Sequence, residues 1–130
     1  MIVDASVIVD ALVVKGVDGD RARSALAADD DLYGPGHLPL EITSALARLV
    51  RADILTADQM RTALTDAAAF GITVVETTVN DTLRVLDLPS LRIADALYVA
   101  LAERLRQPLL TTDARMARSG TTTSCRIIVP

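Results

Sequence analysis

The chain has 130 residues, 51% of them hydrophobic and 23% charged, with a formal net charge of −4. That size suits one domain around one core, and the composition excludes a disordered tail. The acidic balance excludes a general phosphate-binding surface, and three aromatic residues (Tyr33, Phe70 and Tyr98) are too few for a base-stacking platform.

The opening MIVD, residues 1–4, reads as a short strand. No basic stretch precedes its apolar residues and it carries Asp4, so it does not read as a secretory signal. Residues 5–14 are too apolar for a loop and read as a short helix. Residues 16–19 read as a turn, and DRARSALAA, 20–28, as a second helix. DDDLYGPGH, 29–37, is punctuation around a brief strand near Leu32 and Tyr33. In LPLEITSALARLVRA, 38–52, Leu38, Ile42, Ala45, Leu46, Leu49 and Val50 recur at helical spacing, and Pro39 fits a first turn. A fourth helix spans 56–70, with Thr56 as its N-cap and Gly71 as its stop.

ITVVE, 72–76, is rich in β-branched residues and reads as a strand. VNDTLRVLDL, 79–88, is a short helix ended by Pro89, and RIADALYVALAERL, 92–105, a longer one ended before Pro108. PLLTTD, 108–113, is a strand, DARMARSG, 113–120, a helical turn closed by Gly120, and CRIIV, 125–129, the last strand. Cys125 is the only cysteine; it reads as a small core residue, excludes an internal disulfide and points to a reducing cytoplasm. No apolar run approaches the roughly 20 residues of a membrane span. Strands alternate with helices across long crossovers, which predicts an α/β sandwich with a largely parallel sheet.

The acids fall at informative places. Asp4 and Asp113 close strands, while Glu41 and Asp95 stand in the first turns of their helices. Strand carboxyl ends and helix amino ends share one edge of a parallel α/β sheet, and that edge holds the ligand crevice. Taken singly, each acid has a plain explanation: a first-turn acid complements the helix dipole, and Asp4 or Asp113 can cap the helix that follows. Those explanations do not account for four acids at one edge, nor for Glu41 and Asp95 bordering apolar stripes. Two such charges about 5 Å apart repel by on the order of 3 kcal/mol at an effective dielectric near 20. A cation between them removes that cost. Oxygen ligands without His or Cys suit Mg²⁺ or Mn²⁺, and carboxylate-held hard metals cut phosphodiesters.

Four segments carry a resemblance: IVDASVIV at 2–9, LEITSAL at 40–46, RIADALYVALAERL at 92–105 and LLTTDARM at 109–116. In this order and at these separations they resemble PIN-domain ribonucleases, in particular the VapC-like toxins of bacterial type II toxin–antitoxin pairs. The resemblance covers nearly the whole chain and implies a single PIN-like domain over 1–130, a three-layer α/β/α sandwich with about five parallel strands. It implies that Asp4, Glu41, Asp95 and Asp113 are the catalytic acids and bind Mg²⁺ or Mn²⁺, with Ser6 and Thr111 as supporting hydroxyls. It further implies an RNA substrate, often transfer or ribosomal RNA, a cognate VapB-like antitoxin laid over the site, and a homodimer in the cytoplasm. The chain departs from the pattern at Ser44, where the family often has Asn, and in having no acid between Ala114 and Gly120. Occupancy by one or two metals stays open.

The leading expectation is therefore a metal-dependent endoribonuclease, and its rival a catalytically weak PIN-fold binding module. A phosphatase using Asp4 as nucleophile ranks lower, because such enzymes want a second Asp where Ser6 stands. Dinucleotide and P-loop readings fail for want of a Gly-rich loop after the first strand. His37, the only histidine, reads as a solvated loop residue, with approach to the site as the alternative. Arg48 and Arg51 are read as solvated or touching phosphate, and Arg92 as paired with an acid such as Asp95 or touching phosphate. The apolar faces of 20–28 and 56–70 are read as mostly core, with dimer or antitoxin contact as the alternative for part of them.

Overall fold

In this chain one or two helices separate each strand from the next, which restores the direction of travel before the next strand begins. The computed structural model describes residues 1–118 and 123–130. Its strands are β1 (Ile2–Val3), β2 (Tyr33–Pro35), β3 (Thr73–Val75), β4 (Leu109–Leu110) and β5 (Ile127–Ile128). They form one sheet in the order β3-β2-β1-β4-β5, with every pairing parallel. The central strands are apolar without alternation, and Ile2, Val3, Leu109 and Leu110 are all buried. That is what a parallel strand covered on both faces requires.

The helices are α1 (Ala5–Val13), α2 (Val17–Leu26), α3 (Leu38–Arg51), α4 (Ala57–Ala69), α5 (Val79–Val85), α6 (Ile93–Leu105) and α7 (Ala114–Arg118). Right-handed crossovers place α1–α4 on one face of the sheet and α5–α7 on the other. The packing agrees: α1 touches α2, α3 and α4, while α5 packs on α6, which lies over β1, β2 and β4. The result is the three-layer α/β/α sandwich expected from the sequence.

Connections leave β1 toward β2 on one side and arrive at β4 on the other. The strand order therefore reverses between β1 and β4, and a crevice opens at their carboxyl ends. Register ties the two together, since Asp4 N–H donates to the Leu110 carbonyl at 2.9 Å.

Three local expectations change. The turn read at 16–19 is shorter, because α2 starts at Val17 and takes Gly19 into its first turn. A Cβ at Gly19 would stand 1.9 Å from the Val14 carbonyl oxygen, so the glycine serves close approach to the end of α1. The apolar face of α4 is less deeply packed than read: only Ala63 is buried, with Met60, Leu64, Ala67 and Phe70 half-buried. This helix lies against α1 and α3 rather than on the sheet, and no further layer covers it among the described residues. Cys125 is half-buried beside the core. The Gly120 stop expected after α7 lies outside the described residues. No helix is long and apolar enough to cross a membrane among them.

Candidate active site

The crevice is built from the amino ends of helices and the ends of two strands. Asp4 leaves β1 in extended conformation and caps α1, its Oδ1 accepting from the Ser6 backbone N–H at 3.3 Å. Its Oδ2 accepts the Ser6 hydroxyl at 2.7 Å and the Thr111 hydroxyl. Thr111 follows β4 and is fully buried; its Oγ1 also accepts the Asp113 backbone N–H at 3.0 Å. Ser6 Oγ in turn accepts from the Thr112 N–H at 3.2 Å. Two hydroxyls thus tie the end of β1 to the end of β4 and hold a buried carboxylate between them. Asp4 is only 7% exposed and has no cation paired to it among the described residues.

Glu41 stands in the first turn of α3 and Asp95 in the first turn of α6. Tyr98, one turn after Asp95 and fully buried, donates its hydroxyl to Glu41 Oε2 at 2.7 Å. Burial and the bond to Glu41 push the Tyr98 phenol well above its ordinary pKa, so it stays a donor. His37 precedes α3, with its Nε2 3.6 Å from the same Glu41 oxygen and its ring edge-on to Tyr98, centroids 5.1 Å apart. It is therefore part of the site and not the solvated loop residue expected.

Asp95 registers the other three acids. Burial first, then the charges of Asp4, Asp113 and Glu41, push its carboxyl above the ordinary value, against a smaller pull from Arg92. Arg92 begins α6 but forms no ion pair with Asp95 among the described residues. The pairing read for it is thus replaced by a looser attraction. Asp113 differs. It caps α7, accepting the Arg115 N–H at 2.7 Å, and the Arg115 guanidinium lies 3.0 Å from Oδ2. That arginine holds the Asp113 carboxyl below its usual range despite partial burial.

Asp95 thus stands within electrostatic reach of Asp4, Asp113 and Glu41. Among the described residues no three His, Cys, Asp or Glu side chains stand as a finished metal cage. Asp113 is turned to Arg115. The donor set itself is all oxygen and mutually repelling, which fits a hard divalent cation and offers nothing to a soft one. An open groove continues from Glu41 past Ser44 to Arg48, with Arg92 and Ile93 on the opposite wall. Ser44 makes no side-chain hydrogen bond among the described residues, so Glu41 is held from α6 by Tyr98 and not along its own helix.

The sequence reading missed Tyr98. A signal existed: it lies three residues after Asp95, on the same helix face, and a buried tyrosine hydroxyl needs a partner.

Fold and crevice define a parallel α/β protein with an acidic cleft at its switch point. A family model for the PIN domain matches residues 1–120. Ribonuclease VapC3 of Mycobacterium tuberculosis is 38% identical over 124 residues, spanning 92% of this chain and 86% of that protein. Among solved structures, M. tuberculosis VapC20, a Sarcin-Ricin loop cleaving toxin, superposes with a TM-score of 0.67 at 15% identity, over 93% of this chain and 95% of that one. VapBC2 from Rickettsia felis, bound to a DNA fragment from its promoter, gives 0.67 at 10% identity, over 98% and 96%. The chain belongs to the PIN-domain family, and the relatives it matches in sequence include VapC ribonucleases.

Proposed function

We propose that this protein is a Mg²⁺- or Mn²⁺-dependent endoribonuclease, the toxin of a toxin–antitoxin pair, working as one domain over residues 1–130. The observation that supports the reading is that Asp95 feels the charges of Asp4, Asp113 and Glu41, with no arginine or lysine ion-paired to Asp4, Glu41 or Asp95 among the described residues. Uncompensated charge in a half-buried crevice is a standing cost that a bound cation removes. VapC3 and VapC20 support the choice of RNA as substrate.

Asp4, Asp95 and Asp113 would hold the cation, with Glu41 completing the set or orienting water. Once bound, the cation supplies Lewis acidity toward the attacked phosphate and a more acidic water. The protein's own part is positional. Ser6 and Thr111 fix one Asp4 oxygen, so the other keeps a set direction. Arg48 and Arg92 line the groove that leaves the acids and would take flanking phosphates; Arg51 does not line it. With only three aromatics in the chain, the strand is held through phosphates and not through stacked bases.

The partners follow from the same reading: transfer or ribosomal RNA as substrate, a cognate VapB-like antitoxin covering the crevice, a second copy as dimer partner, and a cytoplasmic setting. The R. felis VapBC2 assembly supports the antitoxin.

The test compares RNA cleavage by the wild type and by Asp4→Asn, with and without EDTA. Cleavage by the wild type in Mn²⁺ alone, lost in EDTA and in the variant, is expected. Cleavage that survives both treatments overturns the metal mechanism. No cleavage and no Mn²⁺ binding at millimolar levels leaves the binding-module reading.

A further inference from the structure

Tyr98 is spent in an unexpected way. A buried phenol needs one acceptor, and a backbone carbonyl would serve. Here the acceptor is Glu41 Oε2, at 2.7 Å, so the bond crosses from α6 to α3 and is charge-assisted. One hydroxyl therefore links α6 to the first turn of α3, the helices that carry Asp95 and Glu41.

His37 closes the same oxygen from a second side. Its ring meets Tyr98 edge-on at 75°, and its Nε2 is buried, has no hydrogen-bond partner among the described residues and lies 3.6 Å from Oε2. Glu41 Oε1 has no hydrogen-bond partner among the described residues. One oxygen of the carboxylate is held by the Tyr98 hydroxyl with the His37 ring beside it, while the other is left for a further ligand. Glu41 has three rotatable side-chain torsions and is 31% exposed, so without that fixing it would sample many positions.

We infer that Tyr98, backed by His37, is the positioning residue of Glu41: it locks Oε2 so that Oε1 is presented to the divalent cation or its water. The inference rests on the metal-dependent nuclease reading above. Neither side chain touches substrate; both act through Glu41.

The test measures Mn²⁺ binding by the full chain from the free-Mn²⁺ electron paramagnetic resonance signal, beside thermal unfolding in EDTA and steady-state cleavage of an RNA oligonucleotide. Tyr98→Phe keeps the ring and removes the hydroxyl. We expect Mn²⁺ binding to weaken about tenfold and kcat to fall about as much, with KM within about twofold. In a Glu41→Gln background the same change should move Mn²⁺ affinity by less than about twofold, since the group it acts through is already altered.

A purely structural role would lower the melting temperature and leave Mn²⁺ affinity in place, which overturns the inference. An undiminished loss in the Glu41→Gln background does so too, because Tyr98 would then act elsewhere. Should Tyr98→Phe fail to fold, His37→Ala removes only the ring support; its Mn²⁺ binding should weaken about threefold, and affinity equal to wild type sinks the inference. Wild type that binds Mn²⁺ and cleaves RNA, beside a Tyr98→Phe that matches it, overturns this inference alone. Wild type that does neither overturns the nuclease reading with it.

Discussion

The two ends of α6 treat charge in opposite ways. At the C-terminal end, Glu103 accepts Arg84 Nε at 2.8 Å and Nη2 at 3.1 Å, the Thr123 hydroxyl at 2.9 Å and the Ser124 N–H at 3.0 Å. Its neighbour Arg104 pairs with the buried Asp81 at 3.0 Å, which Thr78 also caps. At the N-terminal end, Asp95 has no paired cation among the described residues and faces three more acids. The directions of titration record the contrast. Arg84 holds Glu103 down to about 2 against the cost of burial. Burial also pushes Asp81 up, yet the Thr78 bonds and Arg104 bring it below its usual value. For Asp95, burial and its neighbours act together and push it up. Asp81 and Asp95 are both first-turn acids on adjacent helices, and sequence position alone does not separate them. What separates them is whether an arginine comes with the carboxylate.

The strongest break in the comparison is Asp95→Asn. Cleavage should fall on the order of a hundredfold or more, while the melting temperature in EDTA rises. The rise is expected because relief of repulsion outweighs the lost helix-dipole term of about 0.3–1 kcal/mol. Millimolar Mn²⁺ should then stabilise the wild type and not the variant. A variant less stable than wild type in EDTA would mean that Asp95 is a structural acid like Asp81.

Next in size is Glu103→Gln. The folded carboxyl lies at about 2 against an ordinary 4.5, so its contribution is complete above pH 4.5 and is lost as pH falls toward 2. The variant should cost on the order of 3 kcal/mol at neutral pH, and the gap should close in that acid window. Denaturant titrations at pH 7 and pH 2.5 measure it; an unchanged gap refutes the linkage.

The smallest effect tests the one site acid that has an arginine. Arg115 is 66% exposed, so Arg115→Ala should leave the melting temperature close to that of the wild type. Freed of its partner, Asp113 should bind Mn²⁺ about two- to threefold more tightly in a titration. Weaker binding would show that Arg115 orients Asp113 instead of occupying it.

Much of this was legible before any coordinates. Parallel topology alone brings Asp4, Glu41, Asp95 and Asp113 to one edge, because strand ends and helix starts coincide there. Thr56 and Gly71 marked the ends of α4, since caps are local chemistry. The Tyr98–Glu41 bond was not legible, as it joins residues 57 apart whose facing depends on how α6 crosses α3. The place of Gly19 was hidden for a similar reason: its constraint is a carbonyl on another helix. Nor could helical periodicity say that α4 would lie outside α1 and α3, because an apolar stripe does not state how many layers cover it.

The bond from Thr111 to Asp4 spans 107 residues, nearly the whole chain. During synthesis, α1 to α4 can gather while Asp4 still lacks the strand on its second side. Contacts this distant in sequence close late. Under the ribonuclease reading, competence is the last property the growing chain acquires, and an interrupted polypeptide lacking β4 carries the first acid of the crevice without the hydroxyl that sets it.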